Sequence, residues 1–372
     1  MPKQRQLSSA MRYSMGSFWL AVLVLTAFVP PAHTQALPVS TGEPIHVTGP
    51  FAVIETKAGT ARGVSGLACL APLKGIRSCL AVNDEERFAE WATFDGERLL
   101  PTGKKIQLLS KTEQQSDKIV GTMPQGICDK KDDFEEFDGE AIAIAGNKVF
   151  VVGSHACTRE KGKFKPSAFV LARAEATGEA LEATDVERSW RLSDIIRHSS
   201  LSDAFGKHGA TGVGIEGMAV VGDRLFLGFR TPSVNDKATI LSVEAGDLFT
   251  PGESPSGAIP SEFKLELGSN TGIRDLAALN DGRLLVLSGP ANASDGTYML
   301  HIFTPSNRKL RPLAELRTDV SGMKKEGGGA EVAKAEAIAV LEQTEDAVII
   351  LVTYDNIDDG GPRLHRISLP KD

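Results

Sequence analysis

Stretches apolar enough to cross a bilayer are missing from this sequence. The longest, Phe18–Val29, spans 12 residues, against the ~20 that a helix needs to cross the hydrocarbon core. A polytopic membrane protein is therefore excluded. Positive charge is in deficit, with 41 Lys and Arg against 48 Asp and Glu and a net charge of −7. An acidic surface repels phosphate backbones, so no nucleic-acid partner is expected. The 4 cysteines form no C-x-x-C pair, and neither H-E-x-x-H nor G-x-S-x-G occurs. Zinc, thioredoxin-like and α/β-hydrolase chemistry are thus left without support. What remains is ordinary globular composition, 41% hydrophobic and 24% charged, which excludes disorder and collagen-like repeats.

The N-terminus reads as a targeting segment. Lys3, Arg5 and Arg12 stand in a stretch without acids, ahead of the apolar run and the small-residue site Thr34-Gln35-Ala36. A basic region, a short apolar core and a small-x-small site describe a signal peptide over residues 1–36. The expected product is a periplasmic or secreted bacterial protein with one domain over residues 37–372. No membrane contact is expected after cleavage, and the domain is expected to be a monomer. In an oxidising compartment, Cys69, Cys79, Cys128 and Cys157 predict two disulfides.

One short pattern recurs down the chain. It reads Val64-Ser65-Gly66-Leu67-Ala68, Gly139-Glu140-Ala141-Ile142-Ala143, Ile215-Glu216-Gly217-Met218-Ala219, Ile273-Arg274-Asp275-Leu276-Ala277 and Ala335-Glu336-Ala337-Ile338-Ala339. Such a long period marks a repeat architecture. Each copy is followed by turn residues, such as Gly146-Asn147, and then by further runs rich in β formers. The last unit stops one run short, and Pro50–Thr56 near the N-terminus supplies a spare strand. The pattern predicts an all-β, five-bladed β-propeller closed by an N-terminal strand; six blades are the alternative. Ser193 and Asp194 open one inserted helix carrying Ile195, Ile196, Leu201 and Phe205, either packed on a rim or acting as a lid. Gly212-Val213-Gly214-Ile215-Glu216-Gly217 matches G-x-G-x-x-G, but a strand follows it where a dinucleotide site needs a helix.

Propeller geometry selects a functional face. The starts of inner strands and the ends of second strands converge on one mouth of the central channel. Inner-strand starts contribute Ser65, Glu140, Glu216, Arg274, Asp275 and Glu336. Second-strand ends contribute Asp84, Glu85, Ser154, His155, Arg230, Ser288 and Asp355. Neighbouring carboxylates repel unless arginine, a hard cation or a shared proton compensates. Glu140, Glu216, Asp275 and Glu336 are the candidate ligands for Ca²⁺, and Asp84, Glu85, Ser288 and Asp355 the candidate ligand-binding residues. As catalytic residues, Glu140 and Glu216 would act as acid or base, and Arg230 and Arg274 would stabilise negative charge. His155 would move a proton. The blade order pairs Cys69 with Cys79 across one hairpin and Cys128 with Cys157 at the mouth, pinning the loop Gly121–Phe134 over the site.

Several segments carry a family resemblance. Cys79-Leu80-Ala81-Val82-Asn83-Asp84-Glu85, Val152-Gly153-Ser154-His155 and Gly214-Ile215-Glu216-Gly217-Met218-Ala219 are among them. So are Leu225-Phe226-Leu227-Gly228-Phe229-Arg230, Gly272-Ile273-Arg274-Asp275-Leu276 and Leu287-Ser288-Gly289-Pro290. They resemble an uncharacterised exported bacterial family classified only as a domain of unknown function. More distantly, the E-G-hydrophobe-A repeats look like phytase-like esterase propellers. That likeness implies a small polar ligand at the mouth, with a divalent cation and hydrolysis of a phosphoester or ester. A non-catalytic binding or envelope scaffold is the alternative, and the residues alone leave enzyme or scaffold open.

Overall fold

The computed structural model describes residues 36–53, 61–109, 119–131, 136–159, 161–177, 179–252, 257–292, 296–318 and 333–370. The chain divides into Met1–Ala36 and Leu37–Asp372. Apart from Ala36, the expected signal peptide lies outside the described residues. Among the described residues, no helix is long and apolar enough to cross a membrane.

Residues Leu37–Asp372 hold a five-bladed β-propeller. Blade 1 is Val64–Cys69, Arg77–Asn83, Phe88–Phe94 and Arg98–Gln107; blade 2 is Gly139–Ala145, Lys148–Gly153, Leu171–Thr177 and Glu182–Ser189. Blade 3 is Gly214–Val221, Arg224–Thr231, Lys237–Glu244 and Ser261–Glu266; blade 4 is Thr271–Ala278, Leu284–Pro290, Tyr298–Thr304 and Lys309–Leu316. Blade 5 takes Lys334–Gln343, Ala347–Asp355 and Arg363–Ser368 from the C-terminus and Glu43–Pro44 from the N-terminus. The inner strands touch in cyclic order, and that of blade 5 packs on that of blade 1, which closes the ring.

Alternation along these strands leaves one apolar face to bury against each neighbouring blade. Phe150, Val152, Met218 and Leu227 pack together between blades 2 and 3, and Leu285, Leu287, Ile338 and Ile350 between blades 4 and 5. Burial of each such side chain stabilises the ring by roughly 1.5–3 kcal/mol. At the foot of the channel, Ala68, Ala143, Ala219, Ala277 and Ala339 line a narrow apolar space of about 90 Å³. The polar and charged residues gather at the opposite mouth.

Every inner hairpin carries a register shift at the same place. It falls between Val64 and Gly66, Gly139 and Ala141, Ile215 and Gly217, Ile273 and Asp275, and Ala335 and Ala337. The extra residues are Ser65, Glu140, Glu216, Arg274 and Glu336. A bulge re-aims its side chain, here at the top of the channel. The residue after each bulge faces the neighbouring inner strand at close range. A Cβ on Gly66 would lie 3.0 Å from the Ala141 Cα, and one on Gly217 would lie 2.9 Å from the Asp275 backbone. Small residues are required at these two positions, and Gly or Ala follows the bulge in every blade but the fourth, where Asp275 stands there.

Closure is achieved by a different segment from the one expected. Glu43–Pro44, not Pro50–Thr56, is the fourth strand of blade 5. The same segment adds Val39–Ser40 in parallel to the rim of blade 4 and His46–Val47 to the rim of blade 1. One strap thus covers three outer edges, a protection against edge-to-edge association. Within the expected strand, residues 54–56 lie outside the described residues. Phe51 is core: it is buried with Leu67 and Leu351, and its N–H donates to Asp359 Oδ1 at 2.9 Å.

The inserted helix is shorter than predicted, Leu192–Arg197, and neither Ser193 nor Asp194 is its N-cap residue. Ile195, Ile196 and Leu201 are buried against blades 2 and 3, so this element is packed rather than a lid. Both expected disulfides are present: Cys69–Cys79, between directly paired positions of one hairpin, and Cys128–Cys157, with Cα atoms 5.7 Å apart.

Candidate functional site

The mouth holds a cavity of about 500 Å³. Four of the bulge residues, Ser65, Glu140, Glu216 and Glu336, line it. The fifth, Arg274, is 3% exposed and ties two of them together. Its Nη1 lies 2.8 Å from Glu216 Oε2, and its Nη2 bonds Glu336 Oε1. Glu216 Oε1 also pairs with Arg230 and, at 3.7 Å, with Arg159. Three guanidiniums therefore meet two carboxylates on this side, leaving positive charge in excess. Lys161 and Lys163 add to it from the loop beside Arg159.

That loop is held in place covalently. Cys157 precedes it and is bonded to Cys128, and Lys163–Phe164 pairs in parallel with Lys130–Lys131. Thr158 and Lys163 close it with a backbone hydrogen bond of 3.0 Å. Arginine and lysine on this fixed loop give the cavity a positively charged wall.

The facing wall is acidic, from Asp84, Asp138 and Glu140. Burial, reinforced by the charges of Asp138 and Asp355, raises the Asp84 carboxyl to about 8. Its Oδ1 is fully enclosed without a hydrogen-bond partner among the described residues. Asp138 is also raised by burial, although the Ser154 hydroxyl donates to its Oδ2. Glu140 is held well above the usual carboxylate range, by burial first and then by Glu216, Asp138 and Asp84. Close carboxyls in a low-dielectric wall cannot all ionise, so this trio holds on to protons to higher pH than free carboxylates do.

The raised Asp84 carboxyl has a consequence for stability. Between the unfolded value of 3.8 and about 8, the folded protein keeps a proton that the unfolded chain has lost. Stability must therefore fall as pH rises through this window, by about 1.4 kcal/mol per pH unit for one group. Buried neutral His155, His301 and His365, all lowered by burial to about 4, act in the opposite sense below the ordinary histidine value of 6.5. The acid contribution is exposed above that value. Denaturant titrations from pH 6.5 to 8 should show the slope in the wild type and a shallower one in Asp84→Asn, which keeps the shape. Equal slopes would remove Asp84 from the proton-holding set.

Residues 172–366, just over half of the chain, match the family model described as "Protein of unknown function (DUF3616)". The chain belongs to this family. No curated protein matches it. Among solved structures, this DUF3616 protein is similar to an exo-β-1,3-galactanase from Clostridium thermocellum, at TM-score 0.40 and 9% identity over 89% of this chain and 62% of that one. It is similar to an α-L-arabinofuranosidase from Podospora anserina, at TM-score 0.39 and 9% identity over 90% and 97% of the two chains. A periplasmic gluconolactonase from Pseudomonas aeruginosa matches at TM-score 0.34 and 13% identity over 84% and 91%. The family model bears out the first resemblance seen in the sequence; the more distant one, to phytase-like esterases, gains nothing from it.

Six of the residues expected at the site line the cavity: Asp84, Glu140, Glu216, Arg230, Glu336 and Asp355. Arg274 lies beneath Glu216 and Glu336 as their partner. Asp275 does not join the carboxylates. Its Oδ1 accepts the Leu276 N–H at 2.7 Å, and its Oδ2 accepts the Ile338 N–H at 2.8 Å. The Met218 N–H bonds it too, so one carboxylate ties the inner strands of blades 3, 4 and 5. Ser288 bonds His301 Nε2 at 2.9 Å inside blade 4, and Glu85 is exposed away from the cavity. His155 is 1% exposed. Its Nδ1 donates to the Gly153 carbonyl at 3.0 Å and its ring packs on Phe169, so it does not line the cavity.

The expected calcium set Glu140, Glu216, Asp275 and Glu336 is thus not gathered into an oxygen cage. Glu216 and Glu336 face arginine, and Asp275 faces amides. Among the described residues, no group of three or more His, Cys, Asp or Glu is placed to hold a metal ion. Asp138, Arg159, Lys161 and Lys163 line the cavity without having been singled out in the sequence. The described part of the loop Gly121–Phe134 lines none of it, although Cys128 anchors the bridge.

Proposed function

We propose that the mouth binds a small, polar, anionic ligand and hydrolyses an ester or phosphoester bond in it. One observation carries the reading: carboxyls of raised pKa and a set of guanidiniums that outnumbers its paired carboxylates line one cavity. Water adds to the phosphorus or carbonyl carbon and the ester bond breaks. The departing oxygen takes the electron pair and a proton from Glu140. The attacking water then returns a proton to the Glu140 carboxylate. Arg230 and Arg159 stabilise the negative charge that grows on the central oxygens. Burial, with Glu216, Asp138 and Asp84 close by, keeps the proton on Glu140. The two disulfides support the proposal of an exported, periplasmic or secreted protein.

Two measurements test this. Inorganic phosphate should raise Tm of the purified protein in proportion to RT ln(1 + [L]/Kd), and Arg230→Gln should remove the effect. A panel of p-nitrophenyl esters and phosphates should then include at least one substrate. Phosphate binding without any turnover would reduce the protein to the binding scaffold. Calcium requires a separate arm. Asp84, Asp138 and Glu140 line the cavity with no arginine ion pair among the described residues, and a Tm rise with Ca²⁺ that chelator reverses would make them cation ligands instead of acids. The acid reading expects no such rise.

A further inference from the structure

A second, smaller cavity of about 180 Å³ opens beside the first. Arg159 and Arg230 line both, so the two spaces meet at these guanidiniums. Beyond them the side cavity is walled by Ala210, Val213, Thr231, Ala291 and Asn292, and among the described residues no acidic residue lines it. Its volume is about six times a water molecule's share of the liquid, enough for a short chain or small ring. The Arg230 side chain is mostly buried, and its guanidinium pairs with Glu216 at the edge of the main cavity.

Resting on the reading above, we infer that the substrate is a phosphodiester whose anionic phosphorus centre sits between Arg159 and Arg230. One ester arm lies in the main cavity and the other in the side cavity. The reason is topological. An anion held at a junction with space on both sides is best matched by a group that stays charged while carrying two substituents. A carboxylate and a phosphate monoester each carry one. A phosphodiester carries two and keeps one negative charge. The uncharged arm faces alanine, valine and threonine, while the leaving arm faces the protonated Glu140. Water oxygen bonds to phosphorus, the P–O bond to the leaving arm breaks, and that oxygen takes the Glu140 proton. The products are an alcohol and a phosphate monoester that retains the other arm.

The test compares p-nitrophenyl phosphate with ethyl p-nitrophenyl phosphate on the wild-type protein and on Ala210→Phe. Ala210 is exposed at the wall, so a phenyl group there fills the side cavity without entering the core. The wild type should favour the diester in kcat/KM by at least about tenfold, the value of one well-filled small apolar subsite. Ala210→Phe should erase that preference and leave the Tm shift by inorganic phosphate unchanged. Equal or better turnover of the monoester overturns the inference. So does an Ala210→Phe effect of the same size on both substrates. If inorganic phosphate fails to bind the wild type, the broader anion reading falls and takes this one with it; phosphate binding without a diester preference sinks only the substrate class.

Discussion

Replacing Arg274 by Met should destabilise the propeller by about 3–5 kcal/mol, the usual cost of removing one partner from a buried ion-pair network. Arg274 is 3% exposed and stands between Glu216 and Glu336, which are also buried. Methionine fits the stem but offers no donors, so the buried carboxylates of blades 3 and 5, which flank the inner strand of blade 4, would lose the cation between them. Arg230 and Arg159 still reach Glu216, but no second cation is bonded to Glu336 among the described residues. The double variant Arg274→Met with Glu336→Gln should recover part of the loss, because it withdraws the stranded charge. Urea denaturation of the single and double variants measures both. A single variant within about 0.5 kcal/mol of wild type would mean that the pair is solvated and does not tie blades 3, 4 and 5.

The same residue shows how far the sequence could be read. Five short repeats with polar residues at one phase were legible as inner strands because the bulge recurs at the same place in every hairpin. Glu140, Glu216 and Glu336 could therefore be placed at the mouth before any coordinates. In the fourth copy two charged residues are adjacent, and composition does not say which is the bulge. Arg274 is, and Asp275 turns to backbone amides. His155 was misplaced for a related reason. Strand alternation runs out at Gly153, and His155 adopts φ of 52°, so Ser154 faces the cavity while the imidazole goes under it. The closing strand Glu43–Pro44 is exposed and two residues long, with no apolar pattern to betray it. The basic loop carries Arg159, Lys161 and Lys163 at alternate positions, the look of a solvated turn. Its one legible signal was Cys157, since a bridge at the mouth fixes the loop on either side of it.

Glu140→Gln should lower turnover of the best substrate by about 10²–10⁴, the usual contribution of a positioned general acid. The substitution keeps the bulge and the length of the side chain but removes the transferable proton. Folding should not suffer. Burial and the charges of Glu216, Asp138 and Asp84 already oppose ionisation of this carboxyl, and a neutral amide relieves that repulsion. The variant should accordingly match or exceed the wild-type Tm, and inorganic phosphate should still raise it, because Arg159 and Arg230 are untouched. The pH profile separates a proton donor from a residue that merely shapes the cavity. With an acid of raised pKa, wild-type kcat should be flat below that pKa and fall as pH rises through it, since deprotonation removes the donor. Glu140→Gln should lose this limb along with the rate. The dependence on leaving group is a second discriminator. p-Nitrophenolate departs without much protonic help, whereas an alkyl alkoxide needs it, so the deficit should be smallest for p-nitrophenyl substrates and grow for alkyl ones. A uniform deficit across leaving groups, with the alkaline limb retained, would assign the proton to Asp84 or Asp138 and leave Glu140 as part of the wall.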